Sequence, residues 1–291
     1  MKTAVHLEEV RCNGEAHGSC QAECLIFWKE AWLQRVQAPP KSPSQPTKSP
    51  DDAGFVTGRT SGEEVVWAAA RGRSDPNDTN PTYACQATLL PRATTFLPWW
   101  DVRQYLEDYF SGNTSLWQLA SGGIYVCYAS LVGWVTGFSK RGSAVLVHWY
   151  DLLQAMVGGT PYPRRWGTIP AGEKTPSRPL HLKAGDLVQV RTYEEILSSL
   201  DSNNRNRGLY FDAEEVPYCG NTYRVRSTVS RIIDERTGKM LTLKDHNVIL
   251  EGVYCQARFS DRRMFCPRAI YSYWRETWLT RVEANAETGT H

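Results

Sequence analysis

Residues 20–36 read CQAECLIFWKEAWLQRV, and residues 266–282, near the other end of the chain, read CPRAIYSYWRETWLTRV. Both stretches are seventeen residues long and align without a gap at an offset of 246 residues. The identical pairs are Cys20/Cys266, Trp28/Trp274, Glu30/Glu276, Trp32/Trp278, Leu33/Leu279, Arg35/Arg281 and Val36/Val282. One repeated element therefore occurs at both ends of the chain, and its conformation decides how both ends fold.

The tryptophans of each stretch are four residues apart, which places each pair on one face of an α-helix. Further apolar residues widen these faces: Leu25, Leu33 and Val36 in the first stretch, and Ile270, Leu279 and Val282 in the second. The spacing therefore predicts two amphipathic terminal helices that pack together.

Cysteines cluster at the start of both predicted helices. Cys20 and Cys266 would lie at helix N-termini, where the helix dipole favours a thiolate. Four thiolates suit either a tetrahedral zinc ion or an iron–sulfur cluster, and the spacing does not choose between them. The predicted metal ligands, drawn from both termini into one shared centre, are Cys12, Cys20, Cys24, Cys255 and Cys266. Ordinary or redox-active thiols and a disulfide are the alternatives.

The remaining cysteines are expected to matter less. Cys85 lies in an apparent strand and Cys127 in an uncharged stretch, so both are expected to be buried apolar residues. His17 lies between two of the clustered cysteines.

Composition limits the functional classes. The 291 residues carry a net charge of +2, which argues against a general polyanion binder. The first eighteen residues lack the apolar core of a secretory signal, so we expect a cytoplasmic protein with reduced thiols.

The pattern along the chain predicts an α+β protein with five regions. The central fold expected is a small SH3-like β-barrel with flanking helices. The regions are a cysteine-rich helical head (1–36), a disordered linker rich in proline and serine (37–62), a mixed segment with a helical hairpin (63–157), the SH3-like barrel (180–254), and a cysteine-rich loop with a helix (255–283). Within the mixed segment, residues 63–73 and 82–90 are expected to form short strands.

Residues 111–139 contain no charged side chain. With the amphipathic stretch that follows, they predict a helical hairpin packed on the body of the protein. The alternative is peripheral contact with a membrane through residues 116–157.

Arginines recur in the predicted barrel. Arg224, Arg226 and Arg231 share one hairpin and could bind phosphate, carboxylate or RNA, although an exposed hairpin face explains them equally well. No nucleophile elbow, P-loop, dinucleotide fingerprint or zinc-protease motif occurs, so no catalytic residue is assigned.

Several phrases occur together in the chain, among them VRCNGEAHGSCQAECLIFWKEAWL, NRGLYFDAEEVPYCGNTYRV and FCPRAIYSYWRETWL. With these phrases the chain resembles an uncharacterised family of bacterial proteins associated with specialised-metabolite and polysaccharide biosynthesis. The resemblance implies that context and no particular activity. The partner is expected to be a small molecule or a pathway enzyme.

The first hypothesis is therefore a cytoplasmic metal–thiolate protein of a biosynthetic pathway that could act as a metalloenzyme. A second is a non-catalytic, zinc-stapled scaffold whose basic barrel binds a protein, an anionic ligand or RNA. A third is a membrane-surface accessory factor.

Overall fold

The computed structural model describes residues 4–36, 61–71, 79–261 and 263–282. The chain divides into two compact units. Unit 1 comprises Met1–Thr94 and Ile233–Leu241, and unit 2 comprises Thr95–Ile232 and Thr242–His291. Helix and strand occur together, which confirms the α+β class. The predicted linker, apart from residues 61–62, lies outside the described residues.

Unit 1 contains a two-stranded antiparallel sheet and two helices. Strands β1 (Ala4–Arg11) and β2 (Leu25–Lys29) pair, with an irregularity between His6 and Arg11. Single turns of 3-10 helix occupy Glu15–His17 and Glu30–Trp32, and the helices are α1 (Ser61–Ala70) and α2 (Gln86–Ala93).

The prediction of strands at 63–73 and 82–90 was wrong, because both stretches contribute to helices α1 and α2. A run of three alanines ends α1, and alanine has the highest helix propensity. At the start of α2, the Thr88 hydroxyl accepts the backbone N–H of Cys85 at 2.9 Å and caps the helix. These local helix signals outweigh the β-branched and aromatic residues of the two stretches.

Three helices begin unit 2. They are α3 (Val102–Phe110), α4 (Leu116–Phe138) and α5 (Lys140–Met156). Only Ser139 separates α4 from α5, and the Tyr128 hydroxyl donates to the backbone oxygen of Leu146 at 2.7 Å. The predicted helical hairpin is therefore present. Among the described helices, α4 is the one long and apolar enough to cross a bilayer.

A five-stranded sheet carries the core of unit 2. Its strands are β3 (Leu187–Val190), β6 (Thr222–Ile233), β7 (Met240–Leu250), β8 (Trp274–Arg275) and β9 (Leu279–Arg281), in the order β8-β7-β6-β3-β9. Helix α6 (Tyr193–Ser198), the hairpin of β4 (Arg205–Asn206) and β5 (Leu209–Tyr210), and a 3-10 helix (Ala213–Tyr218) follow β3. No ladder joins the edge strands β8 and β9 in the described part of the chain, so the predicted barrel is not closed.

The predicted terminal helices are wrong in both copies of the repeat. The second copy runs as β8, a single 3-10 turn (Glu276–Trp278) and β9, and the first copy runs as β2 followed by the 3-10 turn Glu30–Trp32. A strand followed by one tight turn also brings residues four apart to the same side. The Trp274 and Trp278 rings accordingly meet edge to face at 6.3 Å. The spacing that predicted a helix is thus produced by a strand and a turn.

In the second copy, the carboxylate of Glu276 is buried and holds a neighbouring segment. It accepts backbone N–H groups from Leu180 at 2.6 Å, His181 at 3.1 Å and Leu182 at 2.9 Å. These bonds fix the chain that leads into β3. Glu30, at the same position of the first copy, is exposed.

We expect Glu276→Ala to lower the free energy of unfolding by about 3–5 kcal/mol, because it leaves three N–H groups without their charged acceptor. Glu276→Gln keeps one acceptor oxygen and should cost less. The matched control Glu30→Ala should stay within about 0.5 kcal/mol of wild type. Urea unfolding followed by tryptophan fluorescence measures all three, and equal losses at positions 276 and 30 would contradict this role of Glu276.

Candidate functional site

The repeat is larger than the aligned sequence shows, because it includes the strand before each cysteine loop. Counterparts in this preceding strand are 243 residues apart, and counterparts in the following strand are 246 apart. The matched cross-strand pairs, given as unit 1 then unit 2, are Val5–Trp28 with Val248–Trp274, and Arg11–Leu25 with Tyr254–Tyr271. The two copies therefore have the same strand register.

Each cysteine loop is closed by the same backbone hydrogen bond. Cys12 N–H donates to the oxygen of Cys24 at 2.9 Å, and Cys255 N–H donates to the oxygen of Ile270 at 2.8 Å. The enclosed loops, residues 13–23 and 256–269, differ in length by three residues. The first cysteine of each copy is thus held at the mouth of its loop.

The two loops share backbone features near their ends, although the second is three residues longer. Three matched positions in each loop have a positive φ angle: Gly14, Ser19 and Glu23 in the first, and Ala257, Phe265 and Ala269 in the second. Ser19 N–H donates to the oxygen of Gly14 at 3.0 Å, and Phe265 N–H donates to the oxygen of Ala257 at 2.9 Å. The chain therefore contains one cysteine-loop module twice, once in each unit.

In unit 1 the loop gathers Cys12, His17, Cys20 and Cys85. The Sγ atom of Cys12 lies 3.7 Å from Nδ1 of His17. Burial raises the pKa of the Cys12 thiol, a hydrogen bond with the backbone of Gly14 lowers it, and the nearby Cys20 and Cys85 thiols raise it. Three thiols and an imidazole thus occupy one neighbourhood.

Backbone groups support these side chains. The N–H of Ile233 donates to Sγ of Cys20 at 3.4 Å. Burial lowers the pKa of His17, which favours the neutral ring, and a hydrogen bond with the backbone of Ala84 opposes this shift. Because that bond favours the protonated ring, His17 is its donor and the Ala84 carbonyl its acceptor. Cys85 directly follows Ala84 and precedes the first turn of α2.

In unit 2 the equivalent loop holds a smaller set. Burial raises the pKa of Cys255 to about 11, and the Cys266 thiol contributes a small further rise. The carboxylate of Glu214 accepts the backbone N–H of Arg258 at 2.9 Å and that of Phe259, which pins the loop. Like His17, Arg263 lies three residues before the second cysteine of its loop.

Arg263 forms an ion pair with the buried carboxylate of Asp108. The second loop therefore has a guanidinium, which cannot bind a metal, at the position where the first loop has an imidazole.

The predicted ligands are divided between the units: Cys12, Cys20 and Cys24 belong to unit 1, and Cys255 and Cys266 belong to unit 2. Within the described residues, no three His, Cys, Asp or Glu side chains are positioned to bind one metal ion. The shared five-cysteine centre, and the choice between zinc and iron–sulfur, stay predictions.

The predicted anion-binding arginines lie on β6. Arg224 donates to the backbone oxygen of Gly185 at 2.7 Å, and the guanidinium of Arg226 stacks over the Tyr271 ring at 5.4 Å. Arg231 lies further along the same strand. These side chains thus have partners within the protein, and anion binding stays a prediction.

Sequence reasoning missed the place of Cys85. It was expected in a buried strand, whereas it is only half-buried and caps α2. A correct prediction of helix α2 would have identified Cys85 as a candidate, because reactive cysteines often lie directly before the first turn of a helix. Cys127 was also expected to be buried, and it is exposed on α4.

A small polar cavity lies beside the Glu276 turn. Its lining includes Arg178, Arg207, Asp245, His246 and Arg275. Its volume of about 20 Å³ holds roughly one water molecule, which is too little for a substrate. The cysteine loops are therefore the stronger candidates for a functional site.

No family model matches the chain, and no curated protein has a significantly similar sequence. The resemblance to a bacterial biosynthetic family therefore stays a prediction.

The first left-handed position of each loop can be tested by substitution. A Cβ on Gly14, where φ is 75°, would lie 1.9 Å from the backbone oxygen of Cys20, whereas Ala257 already carries its Cβ at φ 50°. We expect Gly14→Ala to destabilise unit 1 by more than about 2 kcal/mol. Ala257→Gly should be neutral or stabilise by about 1 kcal/mol, because it relieves left-handed strain.

Thermal unfolding of the two variants beside wild type measures both effects. Tolerance of Gly14→Ala would contradict the close approach of Gly14 to the backbone of Cys20, and destabilisation by Ala257→Gly would contradict left-handed strain at position 257.

Proposed function

We propose that this chain is a zinc–thiolate protein in which Cys12, His17, Cys20 and Cys85, which do not already form a metal-binding group, close around one ion when zinc binds. The observation that carries the proposal is the 3.7 Å separation of Cys12 Sγ and His17 Nδ1. Tetrahedral zinc with Zn–S near 2.3 Å and Zn–N near 2.0 Å separates two such ligand atoms by about 3.6 Å. The two side chains are therefore spaced as adjacent zinc ligands.

The surrounding backbone supports the same assignment. Metal-bound histidines commonly donate their other ring N–H to a carbonyl, and the backbone of Ala84 lies close enough to His17 to oppose the lowering of its pKa by burial. Metal-bound thiolates commonly accept backbone N–H groups, and the backbone of Gly14 bonds Cys12 while that of Ile233 bonds Cys20. These contacts orient the ligands and stabilise negatively charged sulfur.

The ligand types favour zinc over an iron–sulfur cluster. A set of three thiolates and one imidazole is a common structural zinc site, whereas most iron–sulfur clusters are held by four thiolates. The alternative fourth ligand is Cys24, whose backbone closes the loop. Four protein ligands leave no open coordination position, so the ion has a structural role and links the loop to α2.

A closed zinc site favours a binding scaffold over a metalloenzyme. In unit 2 the proposed binding surface is the five-stranded sheet. The strand order β8-β7-β6-β3-β9, with a single 3-10 turn between the two edge strands, supports an SH3-like arrangement. We propose that this sheet recognises a partner in the cytoplasm, and a biosynthetic role rests on the sequence resemblance alone.

The test is the metal content of the full chain, purified without chelator from cells supplied with both zinc and iron. We expect one zinc per chain. Cys12→Ser and His17→Ala should lose it, because each removes one of four bonds, and His17→Cys should retain it. Comparison of Cys85→Ser with Cys24→Ser identifies the fourth ligand.

The second loop supplies the matched controls. Cys255→Ser and Cys266→Ser remove the equivalent thiols and should leave the zinc content unchanged. Loss of metal in these variants as well would instead favour one centre shared by both loops. Iron with acid-labile sulfide, or a chain that binds no metal, would overturn the zinc site.

A further inference from the structure

Large apolar side chains are exposed on both helices of the α4–α5 hairpin, in a row along each helix. Along α4 the row follows spacings of three and four residues, as on one helix face, and its large members are Trp117, Ile124, Leu131, Trp134 and Phe138. On α5 the exposed apolar residues include Val145, Trp149, Leu153 and Met156. Exposed apolar patches of this kind mark binding surfaces.

The opposite face of α4 packs against other residues of unit 2. The backbone of Gly122 packs so closely that a Cβ there would lie 2.7 Å from the Phe265 ring. The Tyr125 hydroxyl accepts Nε of Arg164 at 2.8 Å, and Val132 is buried. Because these contacts extend along the helix, α4 lies along the body of unit 2 and offers only its outer face.

The chemistry of the outer face favours lipid over a second protein chain. An α-helix that contacts one protein partner has a narrow apolar seam flanked by charged residues. Helix α4 has no charged residue in its 23 positions, and only 17% of its most apolar stretch is buried. A buried core helix or a leader sequence is the usual alternative, and α4 is neither mostly buried nor at the N-terminus.

The positions of the tryptophans and of the charged residues also favour a lipid surface. Trp117 lies near the start of α4 and Trp134 near its end, and tryptophan is enriched at the membrane–water interface. Lys140 and Arg141 are exposed at the turn of the hairpin. The one acidic residue of α5, Asp151, is directed inward, where it accepts the N–H of Tyr162 and pairs with Arg165. The outer face is thus apolar with a basic end, which suits anionic headgroups.

We infer that the outer face of the α4–α5 hairpin binds the surface of an anionic phospholipid bilayer. The hairpin lies in the interfacial layer, with its tryptophans at headgroup level and its two basic residues among the phosphates. It does not span, because the inner face of α4 is bonded to polar groups of unit 2. This attachment is independent of the zinc site.

Cosedimentation of the full chain with vesicles tests the inference. The vesicles are phosphatidylcholine alone and phosphatidylcholine mixed with phosphatidylglycerol. We expect binding to the mixed vesicles with a blue shift of tryptophan fluorescence. Trp134→Glu should abolish binding, because it places a charge in the apolar interface. Lys140→Ala and Arg141→Ala should each weaken it about five-fold.

The matched control is Trp32→Glu. Trp32 is 63% exposed and Trp134 is 66% exposed, yet Trp32 lies outside the hairpin. The control should bind as wild type does, and circular dichroism should be unchanged in all variants. A wild-type chain that does not sediment with mixed vesicles would overturn the inference. Equal sedimentation of the Trp134→Glu variant and the wild type would also overturn it. A third contrary result is a wild-type dimer that Trp134→Glu dissociates and that does not bind vesicles.

Discussion

One backbone hydrogen bond, made twice, sets the geometry on which the rest of the structure depends. Cys12 donates to Cys24 in unit 1, and Cys255 donates to Ile270 in unit 2. Each bond ends a short ladder and forces the intervening residues into a tight loop. The tight loop needs left-handed positions, the first of which is Gly14 in one copy and Ala257 in the other. The first thiol of each copy is fixed by this constraint.

The two copies use the same backbone for different purposes. In unit 2 the repeat supplies core residues: Trp278 is buried and donates Nε1–H to the Ser199 hydroxyl at 3.1 Å, and Glu276 holds the segment before β3. In unit 1 the equivalent Trp32 is largely exposed. The second copy is therefore a structural element of a sheet, whereas the first has gathered a histidine and additional thiols around its loop.

Sequence alone could identify the repeat and the helical hairpin, because both rest on local patterns of identity, apolar spacing and helix-ending glycines. It could not identify the conformation of the repeat. A four-residue spacing of Trp274 and Trp278 fits an α-helix and also a strand followed by one 3-10 turn, and only packing against Phe211 and the sheet decides between them. The open sheet and the division of the chain into two units depend on long-range pairing that no local pattern records.

Part of the candidate site could be predicted from the sequence. Cys12 and Cys20 stood out by their clustering, and His17 lay between them. Cys85 did not, because 65 residues separate it from Cys20 and the segment before it resembled a strand. Its place near Cys12 depends on tertiary structure, which brings the start of α2 beside the first loop. The five cysteines predicted to share one centre are divided between two similar loops, and the shared centre stays a prediction.

The proposed zinc site is tested most directly by the identity of the atoms around the ion. X-ray absorption at the zinc edge of the purified full chain measures them without any substitution. We predict three sulfur atoms near 2.3 Å and one nitrogen atom near 2.0 Å. A shell of four sulfur atoms, or one made of oxygen and nitrogen alone, would contradict the assignment of Cys12, His17, Cys20 and Cys85.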